Sequence, residues 1–339
     1  MTADQHRLTR VAVIGAGLAG LTAAQELRKA GLRVTVFEKS RGLGGRLATR
    51  RPFGKDHPLG IDHGAPFANA EDAEALATLT ALGQPFAPMG GPSLGIVGVP
   101  GMSGLVRPLA EGLRLHRGVE IAAIARNADR AEDDWLLHDK DGAAHGPFDA
   151  VVSAVPAPQA RALLGDTCPD CAEATMAPCW TLLLALTEPL GLPMDLLRPG
   201  DGPLELVVCN SAKAERDAGE EPETGRPILE TWVAHATPEW SRAHLEDDKA
   251  AVCQALCGAL LDQCPATEAL SNTLPEAAYA AAHRWRYART ERPAGRAFWL
   301  AEDAALGVCG DWRLGPNAGD ALRSGQLLGQ AMARALVSG

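Results

Sequence analysis

The stretch "RVAVIGAGLAGLTAAQELRKAGLRVTVFE", residues 10–38, constrains the fold more than any other part of the chain. Arg10 to Ile14 form a β-rich apolar run, the profile of a strand buried on both faces. Gly15, Gly17 and Gly20 follow directly in G-x-G-x-x-G spacing. Gly15 permits a tight turn, and Gly17 lets a pyrophosphate approach the backbone. Gly20 lets the new helix pack on the strand, with Leu18 and Ala19 completing the candidate cofactor contacts of the loop. Leu18, Leu21, Ala24 and Leu27 recur at helical spacing until Gly31 ends the helix. The next strand finishes at Glu38, eighteen residues past Gly20, where a carboxylate can take both hydroxyls of an adenosine ribose. Glycines alone would carry little weight; strand, helix, strand and acid in this order predict a dinucleotide-binding fold.

The residues after Glu38 bear on which dinucleotide it is. "EKSRGLGGRLATRR" places Lys39 and Arg41, then Gly44, Gly45 and Arg46, just beyond the acid. A permanently charged, bidentate guanidinium suits a bound pyrophosphate, and the glycines let the chain turn back across it. This resembles the E-x-x-x-x-x-G-G-R extension of glutathione-reductase-type and amine-oxidase-type FAD proteins, which NAD dehydrogenases do not normally carry. The stretch is therefore expected to bind FAD.

The 339-residue length suggests two domains, and a net charge of −10 argues against a nucleic-acid partner. The polar start "MTADQHRLTR" lacks a leader pattern and the following apolar run is too short to span a bilayer, so a cytoplasmic protein with no membrane partner is expected. Eight cysteines are too sparse for a disulfide scaffold. Cys168-x-x-Cys171 could be a redox motif or half a zinc site, and Cys253 and Cys257 share a helical face. Both pairs read more simply as small buried hydrophobes, and no metal is expected.

Farther along, "PLGIDHGAPFANA" (58–70) reads as an extended segment returning to the cofactor, with Gly64 and Ala65 in close approach. Residues 119–148 suggest a small β-meander turning at Asp141-Gly142. "CWTLLLAL" and "ILETWVAHA" look like strands of a separate sheet, and "RAHLEDDKAAVCQALCGALLDQC" like a helix of about six turns. Between them, "SAKAERDAGEEPETGRP" reads as a charged, structureless surface loop. The predicted fold class is α/β plus α+β: a Rossmann-type FAD-binding domain (glutathione-reductase/p-hydroxybenzoate-hydroxylase-like) with an inserted mixed/antiparallel-sheet substrate domain. The FAD-binding domain is expected from residues 1–70, 98–170 and 276–339, and the substrate domain from 71–97 and 171–275.

Four segments together, "EKSRGLGGRLATRR", "WVAHATPEWSRAHLE", "AHRWRYAR" and "CGDW…GPNAGDALRSG", resemble the renalase family, a branch of the flavin amine oxidase superfamily. The resemblance implies that Gly310 and Asp311 meet the ribityl–pyrophosphate part of FAD. It also implies that the terminal helix, starting near Asp320 and Ala321, points its N-terminus at the flavin, where the helix dipole would stabilise negative charge. No Cys or His stands in "GDWRLGPNAGDA", where some amine oxidases attach the flavin, so FAD is expected to be non-covalent. The chain departs from the family at Pro66-Phe67-Ala68, where Gln and aromatics are usual, and at Gly319, where an acid is usual. Renalase-like chemistry is oxidation of misreduced 2- or 6-dihydroNAD(P) to NAD(P)+ by hydride transfer to flavin N5, with O2 regenerating the flavin and yielding H2O2. A dihydropyridine gives hydride without first losing a proton, so no general base is demanded. Trp285 and His235 are the residues expected to orient it; His283 has no assigned role. The competing readings are a flavin-dependent amine oxidase and a non-catalytic binding protein on the FAD fold, the latter disfavoured by the presence of Glu38, Arg46, Gly310 and Asp311. The sequence leaves the oligomeric state open.

Overall fold

Val11, Ala12 and Val13 are fully buried because the strand Arg10–Ile14 has parallel neighbours on both sides, Arg33–Glu38 and Ala150–Ser153. The computed structural model describes residues 9–89, 91–126, 134–264, 276–303 and 305–338. The six-stranded sheet runs Trp299–Ala301, Leu306–Val308, Ala150–Ser153, Arg10–Ile14, Arg33–Glu38, Arg114–Arg117, parallel except for Trp299–Ala301 at one edge. Alternate residues serve different layers. Val11 and Val13 face the helix Leu18–Lys29, while Ala12 and Ile14 face Phe37, Trp135, Leu137 and Phe148. The last three belong to the antiparallel meander Ile121–Arg126, Trp135–Asp139, Ala144–Phe148.

The terminal helix Ala318–Ser338 lies against Leu18–Lys29 at backbone distance. A Cβ at Gly325 would run into the Ala19 carbonyl, and one at Gly329 would sit 2.7 Å from Glu26 Cβ. This Gly325-x-x-x-Gly329 spacing puts both glycines on one helical face.

A second, five-stranded antiparallel sheet has the order Leu196–Leu197, Leu204–Cys209, Glu230–Ala236, Thr175–Leu186, Ala277–Arg292. The helix Lys249–Leu261 covers one face, packing Val252, Leu256 and Leu260 on Trp180, Leu182 and Leu184. Leu183, Ala185 and Val233 on the opposite face meet Leu59 and Ile61 of the returning segment.

Four details differ from the sequence expectation. Ala277–Arg292, placed with the FAD-binding part, pairs along its length with Thr175–Leu186, because its small residues Ala280, Ala281 and Ala282 sit flat against that apolar strand. The helix Ala73–Leu82, placed with the substrate part, packs Ala75 and Leu79 into the nucleotide-side core and is tied to the terminal helix by Arg323 on Asp72 (2.8 Å). The six-turn helix is two helices, Pro238–Ala243 and Lys249–Leu261, because Thr237 and Asp248 each cap a new N-terminus. The charged loop is anchored: Lys213 and Arg216 are buried. The expected boundary at residue 275 lies outside the described residues. Among the described residues, no helix is long and apolar enough to cross a membrane.

Gly325→Ala should destabilise the protein by about 1–3 kcal/mol, the usual cost of overpacking. Gly258→Ala, in a helix interior with open space around it, should be neutral or stabilising by up to about 1 kcal/mol. Denaturant midpoints of the two variants check the contrast.

Candidate functional site

The glycine loop is as tight as its sequence requires. Gly15 has φ +106°, and a Cβ there would sit 2.8 Å from the Ala154 carbonyl oxygen. Gly20 contacts the Gly15 carbonyl with no room for a side chain. Gly17 is different: its only neighbour for a Cβ is Gly44 O at 3.9 Å, so the backbone from Gly17 into the buried Leu18 and Ala19 borders open space. Gly44 and Gly45 form the opposite lip, tied across by Gly44 N–H donating to Ala16 O (2.9 Å). Glu38 is buried at the end of its strand and accepts from Ala16 N (2.9 Å) and Ser40 N (2.8 Å), which fixes its carboxylate beside the loop. Lys39 and Arg41 are exposed.

Arg46 is the junction. Its carbonyl accepts from Ala65 N (2.8 Å), and the missing Cβ of Gly64 is what lets that segment approach. Its guanidinium donates through both terminal nitrogens to Asp311 and also to Ala288 O (3.1 Å). Burial opposes that charge, yet Asp311 holds the guanidinium above its ordinary pKa. Thr290 Oγ1 donates to the same carboxylate at 3.0 Å. Gly310 N donates to Ser324 Oγ of the terminal helix (2.9 Å). At that helix's start, Asp320 accepts from Asn317 N (2.9 Å), one half of a capping box, with Ala321 in the next position. Burial pushes Asp320 above the usual carboxylate range, against the Asn317 hydrogen bond. Gly319 donates to Asn69 O (2.9 Å), and any side chain there would strike Ala70, so the acid usual at this position has no room. Phe67 and buried Ala68 of the other departure pack against Phe86 and Ile96.

Trp285 and His235 converge on the His63-Gly64 peptide from two strands. Trp285 Nε1 donates to His63 O (2.8 Å), and the two rings stack at 5.2 Å with 27° between their planes. His235 hydrogen-bonds the Gly64 backbone, and its Nε2 is buried without a partner, as is His63 Nδ1. His283, two residues before Trp285 on the same strand face, lies 4.6 Å from both Trp285 and His63. Burial is the main cause holding all three imidazoles neutral, at about 3 for His63 and about 4 for His235 and His283. Lys213 adds to the effect at His235, and Arg50 at His63 and His283.

Sequence reasoning missed the group that holds this wall. Asp62 is fully buried and accepts from Lys213 Nζ (3.1 Å), Arg216 Nη2 (2.7 Å), Thr49 Oγ1 (2.7 Å) and Met102 N (2.9 Å). Burial works against its charge, but Lys213 and Arg216 keep it below the usual carboxylate range. Its only sequence signal is a carboxylate inside the apolar "LGIDHG".

A bare glycine backbone at the start of the helix Leu18–Lys29 and a buried carboxylate at the second strand's end fit a dinucleotide cofactor from ribose to pyrophosphate. Fold and site together define a dinucleotide-binding protein of the Rossmann type. Residues 56–326 match the flavin-containing amine oxidoreductase family, and residues 13–80 match the NAD(P)-binding Rossmann-like domain. The chain belongs to the flavin-containing amine oxidoreductase family. Flavin-containing monooxygenase FMO GS-OX-like 7 of Arabidopsis thaliana is 45% identical over 69 residues, which is 20% of this chain and only 15% of that protein. Cyclohexylamine oxidase from Brevibacterium oxydans IH-35A has a similar fold, with a TM-score of 0.64 at 12% identity over 98% of this chain and 100% of that one. An oxidoreductase from Methanosarcina mazei superposes with a TM-score of 0.57 at 16% identity, covering 93% and 99% of the two chains.

Two outcomes follow from the charges. Asp62→Asn leaves Lys213 and Arg216 without their buried anion and should cost about 3–5 kcal/mol in denaturant unfolding. The depressed histidines act in the opposite pH sense to a salt-bridged imidazole: only the unfolded chain takes their protons near neutrality. Stability should therefore be complete above about pH 6.5 and fall as pH drops towards 4. A denaturant midpoint that stays flat from pH 7 to 4.5 would contradict this.

Proposed function

We propose that this chain is an FAD-dependent oxidoreductase that oxidises a neutral amine at the carbon next to nitrogen. The observation that carries the reading is the uncharged ring wall of His63, His283, Trp285 and His235 around Gly64. Imidazoles with pKa values near 3 and 4 stay neutral at pH 7, so the wall neither repels an amine's developing charge nor requires the amine to be protonated. Flat faces of indole and imidazole orient the donor carbon and exclude water. On the cofactor side, Glu38 takes the adenosine ribose and the Gly17–Gly20 turn the pyrophosphate, with Arg46 and Asp311 fixed as a pair beside it. The terminal helix from Ala318 presents its positive end. Bound FAD, held non-covalently, supplies the two-electron acceptor, and dioxygen restores it with release of hydrogen peroxide.

A second reading, oxidation of misreduced dihydronicotinamide dinucleotides, has its own observation. A cavity of about 480 Å³ lies between the helix Lys249–Leu261 and the strand Ala277–Arg292, with His283 and Tyr279 in its wall. Arg50 and Lys249 line it, and neither has an ion-pair partner among the described residues. Two unpaired cations beside the ring wall, in a chain of net charge −10, suit the phosphates of such a substrate.

Anaerobic mixing of the yellow holoenzyme with a benzylamine-type amine, a mixture of dihydroNAD isomers, or ordinary NADH separates the two. Bleaching of the flavin band by the amine alone, unchanged in Arg50→Glu, is the expected result. Bleaching by the isomers, with Arg50→Glu requiring about tenfold more substrate, would replace it with the second reading. Bleaching by neither removes both. In either case Trp285→Ala should slow flavin reduction without stripping FAD.

A further inference from the structure

The CPDC turn lies apart from the ring wall, and its two thiols have chemistry that the oxidase reading does not use. Cys168 and Cys171 flank the short turn Pro169–Ala172 and place their sulfurs 3.0 Å apart. Both are almost fully covered, but Pro169, Ala172 and Glu173 of the same turn are exposed, so one surface turn separates the sulfurs from solvent. Behind them sits Arg313, fully buried. It donates to Asp170 (2.8 Å) and to Arg296 O (3.1 Å), while its Nη1 has no partner. That guanidinium favours the thiolate at both cysteines, against burial and the Asp170 carboxylate, which oppose it. A buried cation with an unsatisfied N–H beside a dithiol is the arrangement that stabilises a thiolate.

We propose that Cys168 and Cys171 are a peroxide-reactive dithiol that closes to an intramolecular disulfide. The Cys168 thiolate attacks one oxygen of hydrogen peroxide; an S–O bond forms, the O–O bond breaks and hydroxide leaves. The Cys171 sulfur then attacks the Cys168 sulfenic acid; the S–S bond forms, the S–O bond breaks and water is released. Two thiols lose two electrons and two protons, and one peroxide becomes two waters. The order is set by the pair itself. The Cys171 thiol donates to Cys168, which lowers the Cys168 pKa, with Arg313 assisting, and raises that of Cys171. Cys253 and Cys257 provide the internal comparison: they also sit thiol to thiol, on a helix, but among the described residues no cation favours a thiolate at either. The proposal holds whichever substrate the oxidase takes, because the oxidant can be supplied directly.

The test is differential alkylation of the holoenzyme with added hydrogen peroxide, read by peptide mass spectrometry. The expected result is a 168–171 disulfide that dithiothreitol reverses and that forms at least tenfold faster than any oxidation of Cys253 or Cys257. Cys171→Ser, a near-isosteric substitution, should instead accumulate a dimedone-reactive sulfenic acid at Cys168. Equal rates at the two pairs, or both 168 and 171 remaining free thiols while other cysteines oxidise, would overturn the proposal.

Discussion

The arrangement of the site depends on one buried carboxylate. Asp62 ends the short strand Ile61–Asp62, which pairs with Thr49–Arg50, and Lys213 and Arg216 reach it from the loop after Leu204–Cys209. Burying three charges is costly, and the pairing repays it only if every remaining polar atom is satisfied. Here it is: Thr49 and Met102 N complete the carboxylate, and Asn210 Oδ1 accepts from Asp62 N (3.2 Å) and Lys213 (3.3 Å). Asn210 Nδ2 then donates to Gly60 O (3.0 Å) and Thr231 (3.1 Å). The network therefore pins Gly60 to Asp62 onto the five-stranded sheet. His63 and Gly64, the next two residues, receive their positions from it. The same Lys213 that satisfies Asp62 also disfavours a charge on His235, so the structural network and the neutral wall are one electrostatic unit.

What was legible in the sequence follows from how local each feature is. The glycine loop, Glu38 and the helix Leu18–Lys29 lie within about thirty residues, and each step of that argument concerns neighbours in the chain. Gly64 could be read as a close approach because only glycine fits against Arg46 O. The pairing of Arg46 with Asp311 could not, since 265 residues separate them and neither residue's neighbours signal the other. Which sheet Ala277–Arg292 joins is not legible for a related reason. Its pattern mixes Ala, Arg and aromatics without clean alternation, as an edge strand with one partner permits, so the sequence carried no sign of which sheet it joins. The buried Lys213 and Arg216 were hidden by composition: a segment rich in charge reads as solvated, and only the partner at Asp62 reverses that reading.

Of the two residues expected to line the substrate side, both reach Gly64, but their companions differ in kind from what spacing predicts. His283 joins Trp285 by strand alternation, a period-two argument that requires knowing a strand is there. His63 joins by tertiary approach alone, with Trp285 donating to its carbonyl over a separation of 222 residues. A wall of neutral rings is thus assembled from three separate segments, and its neutrality is a property of the burial each segment supplies to the others.

That assembly bears on how the cofactor site is completed. The Rossmann half of the site forms from the first part of the chain, yet the Arg46 guanidinium is satisfied only when Asp311 and Ala288 arrive from near its end. The terminal helix seats Gly325 and Gly329 on Leu18–Lys29, an approach with no tolerance for a side chain, while Ser324 holds Gly310 and Asp320 caps Asn317 by local contacts. The Arg46 contacts and the seating of the terminal helix each close a loop of most of the chain, so their entropy is recovered only when the rest is in place. A dinucleotide that touches both the glycine loop and the Gly310–Asp311 turn would bind the closed arrangement and not the open one. The cofactor's binding energy then adds directly to the stability of the contact between the chain's two ends.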